Sequence, residues 1–160
     1  MAGKLRHIAI NVPDPWEAAL FYMEAFGMKK VGETDSVLAR GVYLSDGIVN
    51  LAILNYKTDE AAGGDKTKYG IHHMGFWLDD IDKDRKQLED AGGKWWMGDV
   101  ASGNTFYEVK YHDPNGIVVD VSANGWGGAS KDGVTTGPEL RHAELVADRA
   151  GIGKKDPEKV

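Results

Sequence analysis

Cysteine is absent from the 160-residue chain, and this absence narrows the chemistry open to the protein. Without thiols there is no disulfide framework, no thiolate nucleophile and no thiolate metal site. Any bound metal must therefore be held by histidine, by aspartate or glutamate, or by an amide oxygen.

Basic residues are also in short supply. Lysine and arginine number 19 against 25 aspartates and glutamates, which gives a net charge of −6. The positive side chains are scattered, so the chain offers no basic surface to the phosphate backbone of a nucleic acid. A negative surface also repels anionic lipid. We therefore expect small-molecule partners, with neither nucleic acid nor a membrane among them.

Long apolar runs are missing as well. No segment approaches the length needed to span a bilayer, and the N-terminal MAGKLRHIAINVPD lacks the apolar core of a signal peptide. We therefore expect a cytoplasmic protein. The hydrophobic fraction of 42% is nevertheless ordinary for a globular protein, and the length suits one domain.

The chain repeats itself. The strand-like HIAINVPD that starts at residue 7 is echoed by HMGFWLDD from residue 73. Each is followed by apolar residues at helical spacing and a glycine stop, Gly27 in the first half and Gly92 in the second. Strand-like runs with turn signals at Asp46-Gly47 and at DPNG from residue 113 complete the halves. Each half therefore predicts a strand, a helix and two or three further strands.

These patterns set the predicted boundaries. We predict one domain over residues 4–126, with a first module over about 4–56, a polar linker over 57–68 and a second module over about 69–126. Residues 127–160 belong to neither repeat and form a tail with one short helix, which we interpret as a packing appendage. Trp95 and Trp96 follow the second helix, and we expect them to cover its end.

Neighbouring side chains on a strand point to opposite faces of the sheet. In the first strand the apolar set Ile8, Ile10 and Val12 leaves His7 on the other face. The same test in the echo strand places His73 on the face of His7. We expect His72 to point to the helix side or to lie at the exposed end of the strand, so that its replacement would leave a site at His73 intact.

The closing strands add polar residues to the face of the two histidines. In GIVVDVSA the alternation leaves Asp120 there, and a carboxylate in a sheet face needs a charge partner or a metal. Asn50 takes the corresponding place in GIVNLAIL. The strand NTFYEVKYHD presents a further set on this face, which could be a solvated edge or part of a site: Phe106, Glu108, Lys110 and His112.

The paired pattern resembles the vicinal oxygen chelate superfamily, which includes glyoxalase I, methylmalonyl-CoA epimerase, extradiol dioxygenases and bleomycin resistance proteins. The resemblance rests on HIAINVPD and FYMEAFGM in the first half and on GIHHMGFWLDDI and DPNGIVVDV in the second. It implies an α+β fold in which two βαβββ modules form a curved mixed sheet around a cavity. It also implies a homodimer.

The resemblance further implies metal ligands on the first and last strands of each module, which are here His7, Asn50, His73 and Asp120. Relatives commonly carry glutamate or glutamine in place of Asn50 and glutamate in place of Asp120. The shorter side chains make Asn50 the weakest of the four expected ligands. Two imidazoles and a carboxylate would suit Fe²⁺, Mn²⁺, Ni²⁺, Co²⁺ or Zn²⁺.

Two functions remain open. One is a metal-dependent dioxygenase or lyase/isomerase that acts on a small oxygenated molecule. Glu108 is its candidate base, and Lys110, which stands where ring-cleaving relatives usually carry tyrosine, is a candidate acid or substrate-orienting cation. The other is a metal-free protein that sequesters a drug or metabolite. The candidate substrate contacts are Trp77, Phe106, His112, Tyr43 and Arg40.

Overall fold

The computed structural model describes residues 3–98 and 108–130. The first repeat consists of β1 (Lys4–Asn11), α1 (Pro15–Phe26), β2 (Lys29–Asp35), β3 (Ala39–Ser45) and β4 (Asn50–Tyr56). The second consists of β5 (Gly70–Trp77), α2 (Ile81–Asp90), β6 (Lys94–Met97), β7 (Val109–His112) and β8 (Val118–Ser122). The predicted α+β fold of two βαβββ repeats is thus confirmed. Phe106 and the predicted helix of the tail lie outside the described residues.

All eight strands form one mixed sheet in the order β2-β3-β4-β1-β5-β8-β7-β6. The first strands of the two repeats, β1 and β5, pair antiparallel at its centre. Each also pairs in parallel with the last strand of its own repeat, β1 with β4 and β5 with β8. The four central strands are therefore the four on which metal ligands are expected. Within the described part of the chain, no helix is long and apolar enough to cross a membrane.

The two helices begin in the same way. The Asp14 carboxylate accepts hydrogen bonds from the backbone N–H groups of Trp16 (3.0 Å) and Glu17 (3.1 Å), and Asp80 accepts one from that of Lys83 (3.2 Å). Such caps satisfy backbone donors that a helix leaves without partners in its first turn. At the other end of α1, Gly27 adopts a left-handed conformation with φ 68°, as the predicted glycine stop requires.

Each helix packs on one face of its own half of the sheet. The core under α1 contains Trp16 and Ala19 from the helix with Ile10, Leu44 and Ile53 from the strands. The core under α2 is formed mainly by four buried residues: Leu78, Val109, Tyr111 and Val121. Neither α1 nor α2 packs on the opposite face of the sheet, which forms the wall of a cavity.

Strands β1 and β5 each contain one β-bulge where they pair with each other. Leu5 pairs with Phe76 and His7 with Gly75, so Arg6 is an extra residue on β1. On β5, Ala9 pairs with His73 and the next residue of β1 pairs with Ile71, so His72 is the extra residue. A bulge re-aims the side chains around it. In both repeats it immediately precedes the histidine that is expected to bind metal.

The Asp14 cap gives a test of the helix assignment. We expect Asp14→Ala to lower the free energy of unfolding by about 1 kcal/mol, because two backbone donors lose their acceptor. Asp14→Asn keeps a capping oxygen and should cost much less. Urea denaturation of the three proteins measures the difference, and equal losses in both variants would show that the carboxylate acts through something other than the cap.

Candidate metal centre and cavity

A cavity of about 370 Å³ opens on the face of the sheet opposite α1 and α2. Its volume lies in the range of small-molecule sites. The aromatic part of its wall consists of Tyr43, Tyr56, Trp96 and Trp126. The ionisable side chains that face it include His72, His73, Glu108 and Lys110. Such a wall, apolar with a few polar groups, suits a small organic molecule with polar substituents.

Three buried ligand atoms converge at this cavity. The Nε2 atoms of His7 and His73 are 3.1 Å apart, and Asp120 Oδ2 lies 3.2 Å from His73 Nε2 and 3.8 Å from His7 Nε2. Neighbouring ligands of one ion lie about 3.0 to 3.4 Å apart when each is about 2.1 Å from it. Two of the three separations lie in this range, and the group His7, His73 and Asp120 could hold a metal ion.

Small residues across the central strand pair make room for the two imidazoles. His7 stands opposite Gly75, and His73 stands opposite Ala9. A Cβ atom added to Gly75 would lie 2.0 Å from the Cε1 atom of His7, far inside van der Waals contact. The glycine is therefore required by the position of the His7 ring.

Two buried oxygens beside this group lack a hydrogen-bond partner among the described residues. Asn50 donates from Nδ2 to the carbonyl oxygen of Gly127 (2.6 Å), while its Oδ1 is without a donor. Asp120 Oδ1 is the second such atom. Buried oxygens are costly to leave without a donor or a cation, so the residues present fit a metal. Asn50 is paired with His7 in the sheet register and could supply a further, neutral oxygen.

Two cations and two carboxylates surround the histidines. Arg6 donates to Glu108 Oε1, and Lys110 donates to Asp120 Oδ2. Lys110 Nζ also lies 3.6 Å from Glu108 Oε2. When both carboxylates are ionised, these four groups carry two positive and two negative charges.

Burial shifts the proton affinities of the site. It lowers the pKa of His7 well below the ordinary value, with help from the nearby His73 and Arg6, and so favours a neutral ring with a free lone pair. Burial and the charge of Asp120 raise the pKa of Glu108 to about 8, against the opposing effects of Lys110 and Arg6. Burial alone would raise the pKa of Asp120, but its interactions with the groups around it, including the charge of Lys110, bring it below the ordinary value.

Trp126 joins the site to the chain that follows β8. Its ring stacks on His7 at a centroid distance of 4.5 Å, and the Arg6 guanidinium lies 4.8 Å from the ring centroid. The next two carbonyl oxygens accept hydrogen bonds from the first repeat: that of Gly127 from Asn50, and that of Gly128 from Ser45 (2.6 Å). The start of the predicted tail therefore packs on the first repeat and covers one side of the His7 ring.

Of the expected substrate contacts that the structure describes, one lines the cavity and three do not. Tyr43 lines the cavity. Trp77 donates from Nε1 to the carbonyl oxygen of Ala123 and is outside the lining, as is His112, whose ring lies 5.0 Å from that of Trp96. Arg40 is exposed, and alternation along β3 places it on the opposite face from Tyr43. The structure therefore does not bring Arg40 to the site.

Two expectations from the sequence are wrong. His72 lines the cavity next to His73, because the bulge in β5 breaks the alternation on which its placement was based. Trp96 also lines the cavity instead of only covering α2, and its ring packs against Gly63 of the linker, where an added Cβ would lie 2.5 Å away.

Sequence reasoning also misses Arg6, Tyr56 and Trp126. Arg6 and His72 share one signal, since each is a polar residue directly before the repeated histidine. A polar residue at that place in both repeats would have indicated two bulges. No comparable sequence signal marks Tyr56 or Trp126. Tyr56 is the last residue of β4, and Trp126 follows β8.

Residues 4–121 match the family model described as the Glyoxalase/Bleomycin resistance protein/Dioxygenase superfamily. Among curated proteins, none is significantly similar to the chain.

Several solved structures share the fold. A methylmalonyl-CoA epimerase in complex with methylmalonyl-CoA and NH4+ is 20% identical, with a TM-score of 0.64 over 76% of this chain and 94% of that one. The epimerase from Mycobacterium tuberculosis is 21% identical, with a TM-score of 0.59 over 89% and 91%. A hypothetical protein from Bacillus halodurans is 19% identical, with a TM-score of 0.62 over 76% and 94%. At these identities the likeness establishes the fold alone.

The close approach of Gly75 to the His7 ring predicts that a methyl group added at residue 75 destabilises the protein. We expect Gly75→Ala to lower the free energy of unfolding by about 1–3 kcal/mol, because the His7 ring must move. Gly127→Ala is the control, since its added Cβ would lie 3.7 Å from the nearest atom, the Val31 carbonyl oxygen. Urea denaturation gives both values. Equal stability of Gly75→Ala and the unaltered protein would contradict the close packing of the His7 ring on Gly75.

Glu108 gives a test in metal-free protein. Its carboxyl ¹³C resonance, identified by its absence from Glu108→Gln, should titrate with a pKa of about 8 instead of 4.5. Because the folded pKa is raised, the folded protein keeps a proton that the unfolded chain releases. The contribution of Glu108 to stability should therefore fall as the pH rises from about 4.5 to about 8. A midpoint at the ordinary value would show that the group is well solvated.

Proposed function

Because the chain belongs to the Glyoxalase/Bleomycin resistance protein/Dioxygenase superfamily, we propose that it is a metal-dependent enzyme of the lyase or isomerase kind. It would move a proton on a small oxygenated organic substrate. The observation that carries the proposal is the convergence of His7, His73 and Asp120 beside a cavity of small-molecule size.

His7, His73 and Asp120 would hold the metal, with Asn50 as a weaker fourth ligand. When bound, a divalent ion would supply Lewis acidity toward adjacent oxygens of the substrate. The donor set suits Fe²⁺, Mn²⁺, Co²⁺, Ni²⁺ and Zn²⁺, so it does not select one of them.

Glu108 is the proposed base. It faces the cavity, the bond from Arg6 fixes its carboxylate, and burial raises its pKa to about 8. A carboxylate with a pKa near the working pH can accept a proton from carbon and return it. Arg6 is proposed as its positioning residue, because the guanidinium is buried and also donates to the carbonyl oxygen of Asn124 (2.9 Å).

Lys110 is proposed to orient the substrate or to serve as the acid. Its side chain lies on the cavity wall and is 25% exposed, so an entering molecule can reach the ammonium group. An ammonium in this place donates hydrogen bonds to a carbonyl or carboxylate oxygen. Because the resemblance leads us to expect tyrosine here in ring-cleaving enzymes, Lys110 favours proton transfer over dioxygenase chemistry.

The second candidate function is metal-free binding of a drug or metabolite. It is favoured by the bond that Lys110 donates to Asp120 Oδ2, the oxygen that also faces both histidines. In this arrangement the Lys110 ammonium compensates the charge of the carboxylate that a metal would bind. The homodimer and the cytoplasmic location remain predictions, since both rest on the sequence and the resemblance.

Metal titration separates the two functions. Chelator-treated protein should bind one equivalent of at least one of Mn²⁺, Co²⁺, Ni²⁺, Zn²⁺ or, under anaerobic conditions, Fe²⁺ in calorimetry. His73→Ala and Asp120→Ala should lose this binding because each removes one of three ligands, whereas His112→Ala should keep it. Failure of all five ions to bind the unaltered protein would favour the metal-free function.

The reaction class can be tested with the metal-loaded protein. We expect exchange of a substrate C–H for solvent deuterium in a panel containing methylmalonyl-CoA, which one of the structural neighbours binds, and hemithioacetals. Glu108→Gln should abolish the exchange but retain the metal. Oxygen uptake with catechols, with no exchange in any member of the panel, would indicate a dioxygenase instead.

A further inference from the structure

We propose that His72 is a positioning residue of the metal centre, which fixes the tautomer of His73 by accepting a hydrogen bond from its Nδ1–H. The inference rests on the proposed function for the metal itself. It concerns a side chain that the bulge in β5 brings to the cavity, one place before the proposed ligand.

The contacts of His72 determine its tautomer. Its Nε2 lies 2.8 Å from the carbonyl oxygen of Ala62 in the linker. A carbonyl oxygen only accepts, so His72 Nε2 carries a proton and donates it. Its Nδ1 lies within reach of two groups that can donate to it, the Tyr56 hydroxyl at 3.3 Å and His73 Nδ1 at 2.8 Å. In a neutral ring with its proton on Nε2, Nδ1 is an acceptor.

The tautomer of His72 determines which nitrogen of His73 carries a proton. The Nδ1 atoms of the two rings are 2.8 Å apart, so one must donate and the other accept. Since His72 Nδ1 is the acceptor, His73 Nδ1 carries the proton. In the neutral ring, which is the form that binds metal, His73 Nε2 is then a bare lone pair, and it is the atom that lies 3.1 Å from His7 Nε2 and 3.2 Å from Asp120 Oδ2. The hydrogen bonds from the Ala62 carbonyl through His72 therefore leave Nε2 of His73 available to bind a metal.

Tyr56 holds the intermediate ring in place. Its ring lies 4.6 Å from that of His72 at 35°, and its hydroxyl is 3.3 Å from His72 Nδ1. The shorter contact at this nitrogen is the one from His73, so the tyrosine is the weaker of two donors. Partners of this kind on metal-binding histidines typically change metal affinity by about 10–100-fold when they are removed.

The tautomer can be read without a metal. In ¹⁵N-labelled metal-free protein, long-range ¹H–¹⁵N spectra should show His73 protonated at Nδ1. His72→Leu removes the acceptor, and we expect His73 to redistribute toward the Nε2–H form. Asn can place its side-chain oxygen near the former position of Nδ1, so His72→Asn should restore the Nδ1–H form. Spectra of His73 that are the same in His72→Leu and the unaltered protein would contradict the proposal.

Metal affinity provides the second readout. Calorimetry with Mn²⁺ and Zn²⁺ should give an affinity about 10–100-fold weaker for His72→Leu, with most of the loss recovered in His72→Asn. His112→Leu is the matched control, because it removes an imidazole that lies outside the cavity lining. Undiminished affinity in His72→Leu would overturn the inference.

The two proposals fail in different ways. If the unaltered protein binds no metal, the proposed function fails, and the tautomer of His73 alone decides the role of His72. If the unaltered protein binds metal but His73 is protonated at Nε2 in its metal-free form, the role of His72 fails while the function stands. Thermal melting shows whether each variant is folded. If His72→Leu does not fold, the spectra of the unaltered protein and of His72→Asn decide the role of His72.

Discussion

The site depends on the antiparallel pairing of β1 with β5. This pairing joins the two repeats at the centre of the sheet and sets His7 opposite Gly75 and His73 opposite Ala9. The small partners leave room for two imidazoles on one face, with their Nε2 atoms in contact distance. The parallel pairs with β4 and β8 then bring Asn50 beside His7 and Asp120 beside Gly75. A displacement of one strand by one residue would turn a histidine toward the helices.

The two bulges add a supporting residue behind each histidine. In the first repeat the extra residue is Arg6, which bonds Glu108, whose Oε1 lies 3.8 Å from His7 Nδ1. In the second it is His72, which contacts His73 Nδ1. Buried charges such as Arg6 and Glu108 are expensive to desolvate, and removing one partner of such a pair costs about 3–5 kcal/mol. A sheet that served only stability would gain more from apolar residues here, so the arrangement is better explained by a function at the cavity.

Strand alternation was sufficient to place His7, His73 and Asp120 on one face, and the structure brings these three together. It could not reveal the bulges, because a bulge depends on the register between two strands that are over 60 residues apart in sequence. Arg6 and the true position of His72 were therefore missed. Trp126 lies beyond the last strand, where no periodic pattern predicts direction. The fold itself was predictable since its signal is spread over two complete repeats, whereas single side chains such as Arg40 depend on local register.

His7, His73 and Asp120 are proposed to hold one metal ion beside the cavity. Anomalous diffraction from crystals grown with Mn²⁺ or Co²⁺ tests it most directly. The account predicts one anomalous peak within bonding distance of both Nε2 atoms and the Asp120 carboxylate, with Lys110 displaced from Asp120 Oδ2. A map with no peak at this position, in crystals where Lys110 remains bonded to Asp120, would contradict the claim.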